Sequence, residues 1–415
     1  MMKVYSSNKP VDLPVVKKLV QSLIDYFPNR CTLLAVCPNS ESVARAALHA
    51  AKEANAPVLF AATLNQVDRD GGYTGWTPRA FVDFIQEYAQ KIQLDTQVLP
   101  CLDHGGPWLK DKHVQKKLSY QESLEEVKES IKACLDAGYA LLHIDTTVDI
   151  TLPRNEILPV DTVVERTVEL MDFAEAYIAE KGCSPISYEV GTEEVHGGLT
   201  TEERFQQFLA YLDKRLEEAG LKYAWPCFVV GDVGTDLHTT TFNPEVARQL
   251  TAYVRPYGAL IKGHYTDYVT NPEDYPLAGM GGANVGPEFT EEEYKALMDL
   301  VKLERKLGKD SGFVEALQEA VIQSGRWKKW LRGEEEGKRF DELPPERREW
   351  LVRTGARYVW TIPDVVEARK CLYDHVAEHR DPDVFVLWRI KTAILKYYHA
   401  FNLINFNEKL QQVLG

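Results

Sequence analysis

The chain has 415 residues, with 48 Lys and Arg against 62 Asp and Glu and a formal net charge of −14. That balance argues against a sequence-independent nucleic-acid binder, which needs a basic field to displace counterions, and against docking on an anionic membrane surface. Hydrophobic residues at 45% and charged residues at 27% are those of a folded globular protein, and no run approaches the ~18 apolar residues of a membrane span.

The N-terminal MMKVYSSNKPVDLP lacks the apolar core of a signal peptide. The seven scattered cysteines form no CxxC pair and read as reduced core thiols of a cytoplasmic protein. Along the chain, short apolar runs alternate with amphipathic stretches. The runs begin at Cys31, Pro57, Gln97, Ala140, Pro185, Pro226, Gly258 and Gly279. Each is short, rich in Val, Leu and Ile, and bounded by polar, Gly or Pro residues, the pattern of a strand buried on both faces.

Between them, SESVARAALHAAKEA and SYQESLEEVKESIKACLDAG open on Ser, and the second closes on Gly. LTTEERFQQFLAYLDKRLEEAG opens on a Thr cap with acids in its first turn. Eight strands alternating with helices predict an α/β fold closed as a (β/α)8 TIM barrel over residues 1–306. The link NPEDYPLA between the last two strands is too short and proline-rich for a full crossover helix. Residues 307–415 change character: helical, rich in charge clusters, and holding five of the eight tryptophans. They predict a C-terminal helical extension packed on the barrel or on a neighbour. The barrel segment holds 30 Lys/Arg and 45 Asp/Glu, a balance of −15, and the extension holds 18 and 17, a balance of +1.

In such a barrel the active site lies at the C-terminal ends of the strands, and polar residues gather there. The second strand ends in Asn65 and Gln66, followed by the loop with Gly71, Gly72, Tyr73 and Gly75. The third ends in Asp103-His104-Gly105-Gly106, and the fourth carries His143 and Asp145. The fifth carries Glu189 and then Glu193, Glu194 and His196; the sixth leads to Asp232, Asp236 and His238. The seventh ends in His264-Tyr265-Thr266-Asp267, and the eighth offers Asn284. Histidines and carboxylates from separate strands suit one divalent cation with nitrogen and oxygen ligands. The bland readings stand beside this. His143, within LLHID, reads as a buried and satisfied core histidine; His196 and His238 read as loop residues; and the GGYTG loop reads as a turn that uses glycine for positive φ.

NQVDRDGGYTGWTP (65–78), LDHGGP (102–107), LLHIDTT (141–147), ISYEVGTE (186–193), GHYTDYVT (263–270), NVGP (284–287) and RYVW (357–360) together resemble the GatZ/KbaZ family, the larger subunits associated with class II tagatose-1,6-bisphosphate aldolase. The resemblance implies a metal-dependent barrel of class II aldolase type. Its chemistry would be C4 epimerisation, or aldol cleavage, of a ketohexose or ketohexose phosphate such as tagatose or fructose 6-phosphate. Some members of the family instead support a catalytic aldolase partner subunit, and a homo-oligomer is a further possibility for the extension. Carried over, Asp103 matches the aspartate that handles the C4 hydroxyl proton, and His104 and His264 match metal ligands. Glu193 stands where a third ligand is expected, with Glu194 and Glu189 as rivals, and Glu189 is also a catalytic candidate. The implied cofactor is a divalent ion, Zn or one of Mn, Co, Ni and Mg. Asn65, Gln66, Tyr73, Thr266, Asp267 and Asn284 are candidates for binding substrate. Asn284 stands where family members carry a Lys, which bears on how a substrate phosphate is held.

Overall fold

The computed structural model describes residues 13–153, 156–191, 202–235 and 240–414. Eight parallel strands close into a barrel in sequence order, the last pairing with the first. They are β1 (Leu33–Val36), β2 (Val58–Thr63), β3 (Val98–Gly105), β4 (Leu141–Ile144), β5 (Ser187–Gly191), β6 (Phe228–Val230), β7 (Leu260–Gly263) and β8 (Gly282–Val285). Each lies within the apolar run expected to hold it, except that β3 reaches Gly105, one residue past the run from Gln97. Their side chains are nearly all buried, because helices cover one face and the barrel interior the other.

The helices in chain order are α1 (Val15–Asp25), α2 (Glu41–Ala54), α3 (Pro78–Lys91), α4 (Asp111–Gln115), α5 (Tyr120–Ala137), α6 (Val160–Lys181), α7 (Glu202–Glu218) and α8 (Pro244–Val254). They continue with α9 (Asp274–Leu277), α10 (Pro287–Lys306), α11 (Phe313–Ser324), α12 (Pro345–Gly355), α13 (Pro363–Val376), α14 (Pro382–Ala400) and α15 (Phe406–Leu414). The start signals act as read. The Ser40 hydroxyl caps α2 by accepting from the Val43 N–H. Ser119 and Glu122 form a reciprocal capping box on α5, and Gly138 closes that helix in the left-handed conformation. The Thr cap expected for α7 lies outside the described residues. The proline-rich link between β7 and β8 contains only the single turn α9.

The C-terminal helices lie on the barrel. Arg45 of α2 makes a bidentate pair with Asp383 of α14, at 3.0 and 2.6 Å. The Tyr398 hydroxyl donates to the Pro57 carbonyl at 3.1 Å, and the Thr32 N–H donates to the Phe401 carbonyl at 3.2 Å. Of the extension's tryptophans, Trp327 and Trp360 are buried, whereas Trp388 is 53% exposed. Among the described residues no helix is long and apolar enough to cross a membrane. All seven cysteines are free thiols.

Candidate metal centre at the barrel mouth

The ends of β3, β4 and β7 bring four ligand-bearing side chains together. Asp103, His104, His143 and His264 each offer one donor atom, all within 4.8 Å of one another. Asp103, His143 and His264 are buried, and His104 is partly open. The backbone that sets this up is unusual. His104 has φ 49° and Tyr265, next to His264, has φ 54°. Non-glycine residues in the left-handed region cost roughly 1–2 kcal/mol each, so packing must hold them there. Gly106 explains part of the packing: a Cβ at that position would fall 1.4 Å from the Asp145 carbonyl oxygen. The strand end can approach β4 this closely only without a side chain.

Two histidines are oriented by carboxylates. His104 Nδ1 lies 2.6 Å from Asp145 Oδ2, and His264 Nε2 lies 3.0 Å from Glu189 Oε1. A ring N–H donated to a carboxylate leaves the other ring nitrogen with the lone pair, the usual arrangement behind a metal-ligating histidine. Glu189 is fully buried, and its second oxygen accepts from Lys262 Nζ at 2.6 Å. Lys262 is itself only 1% exposed. Burial works against its charge, but Glu189 and Asp103 outweigh that and hold the ammonium above its ordinary pKa. Burial, only partly offset by Glu189 and Asp103, pushes His264 down to about 4, so its ring is neutral at pH 7. Burial pushes the Asp103 carboxyl up, but His104, the hydrogen bond of His143 and the charge of Lys262 outweigh it and hold it well below the usual carboxylate range. Asp145 is likewise held down, to about 2: its burial is outweighed chiefly by the bond and charge of His104.

The donor set fits a divalent cation. His143 Nδ1 accepts from the His104 N–H at 3.1 Å and also lies 3.2 Å from Asp103 Oδ1. The first contact needs the lone pair on Nδ1 and the second needs a proton there, so one nitrogen cannot satisfy both. A cation between His143 Nδ1 and Asp103 Oδ1 would take the place of the missing proton, at the expense of the His104 N–H contact. Three imidazoles and a carboxylate are a ligand set for zinc or a similar transition metal and are poorly matched to magnesium.

His143 is buried and hydrogen-bonded, as its reading as a core histidine expects, but it also faces the other two rings, with centroids 5.0 and 5.2 Å away, and so joins the candidate ligands. Glu193, together with Glu194, His196, Asp236 and His238, lies outside the described residues. Asp232 is not in the cluster; its Oδ1 accepts from the Gly234 N–H in a turn.

The other site residues expected from sequence divide by what they touch. Asn284 Nδ2 donates to Asp103 Oδ2 at 3.2 Å, and Asn284 Oδ1 is buried without a hydrogen-bond partner among the described residues. Tyr73 Oη donates to Asn39 Oδ1 at 2.8 Å at the mouth. Asn65 instead ties two loops together: its Nδ2 donates to the Leu109 carbonyl and its Oδ1 accepts from the Asp111 N–H. Gln66 accepts from the Thr63 N–H and donates to Asn39 Oδ1. The GGYTG loop does need its glycine, since a Cβ on Gly72 would lie 2.2 Å from the Gln66 carbonyl oxygen. Thr266 receives the Tyr275 hydroxyl on its Oγ1, and its N–H donates to the Asn284 carbonyl. Asp267 accepts from the Gly286 and Glu288 N–H groups at the start of α10, at 2.9 and 2.8 Å.

Sequence reasoning passed over Lys262, and it noted Asp145 at the strand end without giving it a role. Lys262 had a signal: it is a lone lysine in an apolar strand, two residues before His264 and hence on the same face. Asp145 has the same spacing from His143.

A family model described as D-tagatose-1,6-bisphosphate aldolase subunit GatZ/KbaZ-like matches residues 21–397. Two solved structures share the fold. One is a protein described as a probable tagatose 6 phosphate kinase from Sinorhizobium meliloti 1021, 24% identical, with a TM-score of 0.73 over 89% of this chain and 100% of that one. The other is a fructose-bisphosphate aldolase from Campylobacter jejuni, 12% identical, with a TM-score of 0.52 over 94% of each chain.

Proposed function

The chain belongs to the GatZ/KbaZ-like family of D-tagatose-1,6-bisphosphate aldolase subunits, and from that premise we propose that it is a metal-dependent enzyme acting on a ketohexose or its phosphate, by C4 epimerisation or by aldol cleavage. The observation that carries this reading is the convergence of Asp103, His104, His143 and His264 at the mouth.

In this reading His104, His143 and His264 hold a divalent cation. When bound, the cation supplies Lewis-acid stabilisation of the negative charge that develops on substrate oxygens beside the carbonyl. Asp145 and Glu189 keep two of the imidazoles in the ligating tautomer, and Lys262 keeps Glu189 ionised. Glu189 thus serves as a positioning residue, because both its oxygens are already bonded. Asp103 takes the proton of the substrate's C4 hydroxyl as the C3–C4 bond breaks. Its neighbours keep it in the ionised form that a proton acceptor needs. Asn284 fixes the carboxylate through Oδ2 and presents its own Oδ1 to a sugar hydroxyl. If the aldehyde fragment leaves, the reaction is cleavage. If it turns its other face and adds again, Asp103 returns the proton to the C4 epimer.

The test is metal analysis of the purified chain, with NMR of fructose 6-phosphate and tagatose 6-phosphate incubated with and without EDTA. Bound metal and EDTA-sensitive interconversion or cleavage are expected; Asp103→Asn loses the interconversion or cleavage and keeps the metal. A metal-free, inactive chain overturns the proposal. Membership of a family of aldolase subunits favours a second reading, a supporting partner of a separate class II aldolase. That reading predicts a longer half-life for such an aldolase when the chain is added, whether or not Asp103 is intact.

A further inference from the structure

Many barrels bind phosphate with backbone N–H groups after the seventh and eighth strands, at a helix N-terminus. Here the Gly286 and Glu288 N–H groups at the start of α10 are both taken by Asp267. A substrate phosphate needs another cationic partner, and the C-terminal extension brings one to the mouth.

Arg357 is only 7% exposed. Its guanidinium lies 5.1 Å from the Trp330 ring centroid and 5.0 Å from that of Tyr358. It forms no ion pair with a carboxylate among the described residues. Asp267 acts on this guanidinium at longer range and helps to keep it charged, but no carboxylate pairs with it directly, and a buried cation without a direct partner marks a place that can receive an anion. Tyr358 packs edge-on against Tyr73, with centroids 5.2 Å apart, and Thr361 Oγ1 donates to the Tyr73 carbonyl at 3.0 Å. Tyr73 in turn holds Asn39 Oδ1, and Asn39, 3% exposed, keeps its Nδ2 without a hydrogen-bond partner among the described residues. That amide lies against Gly286, 3.4 Å from where a Cβ would sit, just beyond Asn284 and its bond to Asp103.

We propose that Arg357 and Asn39 Nδ2 form an anion subsite that receives the phosphoryl group of a phosphorylated ketose whose C4 end lies at Asp103. The proposal rests on the function given above for its substrate, but not for its anion chemistry. Arg357 supplies the charge and a planar pair of donors, Asn39 a further donor, and the aromatic rings of the extension hold the guanidinium in place.

The test compares wild type, Arg357→Met and Asn39→Asp. Asn39→Asp keeps the oxygen that Tyr73 and Gln66 use and replaces the orphan amide by a negative charge. One readout is inorganic phosphate binding by calorimetry, and the other is the ratio of kcat/KM on a ketohexose 6-phosphate to that on the free ketohexose. Losing one charged hydrogen-bonding partner should lower both phosphate affinity and the ratio by about 10- to 100-fold. Unchanged phosphate binding in both variants, or equal losses on both sugars, overturns the proposal. If wild type transforms no sugar but loses phosphate binding in the variants, the subsite stands and the enzymatic reading falls. If Arg357→Met does not fold by circular dichroism, Asn39→Asp decides alone.

Discussion

Lys262→Met tests whether the Lys262–Glu189–His264 chain supports the centre. The substitution roughly preserves volume, so its main effect is to leave the Glu189 carboxylate buried without its cation. Breaking a buried pair from one side costs about 3–5 kcal/mol. Unfolding entropy is about 2.1 cal/mol/K per residue, so the 415-residue chain carries about 0.9 kcal/mol/K, and a loss of about 4 kcal/mol lowers Tm by about 4–5 °C. Glu189→Gln leaves the ammonium uncompensated and should cost a similar amount. It also weakens the orientation of His264, lowering metal affinity by about 10- to 100-fold. The double variant removes both charges together, so its loss in stability should fall short of the summed single losses by at least about 2 kcal/mol. Calorimetric melts of the four proteins, with competitive metal titration on the same samples, complete the cycle. A shift under about 1 °C for Lys262→Met, or an additive double variant, refutes the reasoning.

Three further outcomes follow from single positions. Gly106→Ala must displace the Asp145 backbone, since the new Cβ would overlap its carbonyl oxygen; the soluble variant should show lower Tm and lower bound metal, and a wild-type melt would contradict the contact. His143→Ala should reduce the metal recovered per chain at equal free metal, read by elemental analysis; unaltered stoichiometry and affinity would remove His143 from the ligand set. Asp267 titrates near 7, raised by burial against the pull of its two backbone donors. An acid with a raised folded pKa binds an extra proton in the native state, so its contribution to stability falls from about pH 4 to about pH 7 and then levels. Asp267→Asn keeps an acceptor for both N–H groups without that titration, so its Tm relative to wild type should rise across the window; parallel curves would sink the assignment.

The barrel was legible because its strands are buried on both faces. Runs such as LLAV, VLFAAT and FVV leave no alternation to misread, and Ser40, Ser119 and Gly138 punctuate the helices between them. Asp103, His104 and His264 stood out because each is polar just where an apolar run stops. His143 did not, because it sits one residue inside β4, where an inward-facing ligand and a core histidine have the same neighbours in sequence. Asn65 and Gln66 look the same in sequence as sugar-binding residues, yet they satisfy backbone groups of their own and adjoining loops. Only the tertiary hydrogen bonds separate those roles, and no local pattern encodes them. The position of Arg357 is of the same kind, set by the packing of Tyr358 and Thr361 on the Tyr73 loop.

The uneven charge of the chain takes on meaning at this mouth. Three carboxylates there, Asp103, Asp145 and Glu189, are held ionised, and one ammonium, Lys262, stands among them, so the described centre is net negative by two. Left so, it would repel a sugar phosphate. With neutral imidazoles, a bound divalent cation brings the centre to zero, which permits approach but does not favour an anion. The proposed Arg357 subsite supplies the surplus positive charge, and it comes from the near-neutral extension instead of the acidic barrel. Metal and arginine therefore act on different ends of the same ligand. Metal removal should weaken free and phosphorylated ketose alike, whereas Arg357→Met should act on the phosphorylated one. Adding moderate salt should depress binding of the phosphate ester more than that of the free sugar, because only the ester depends on a charge contact that ions screen. Equal salt sensitivity for the two sugars would mean that the extension's arginine serves the fold and not the ligand.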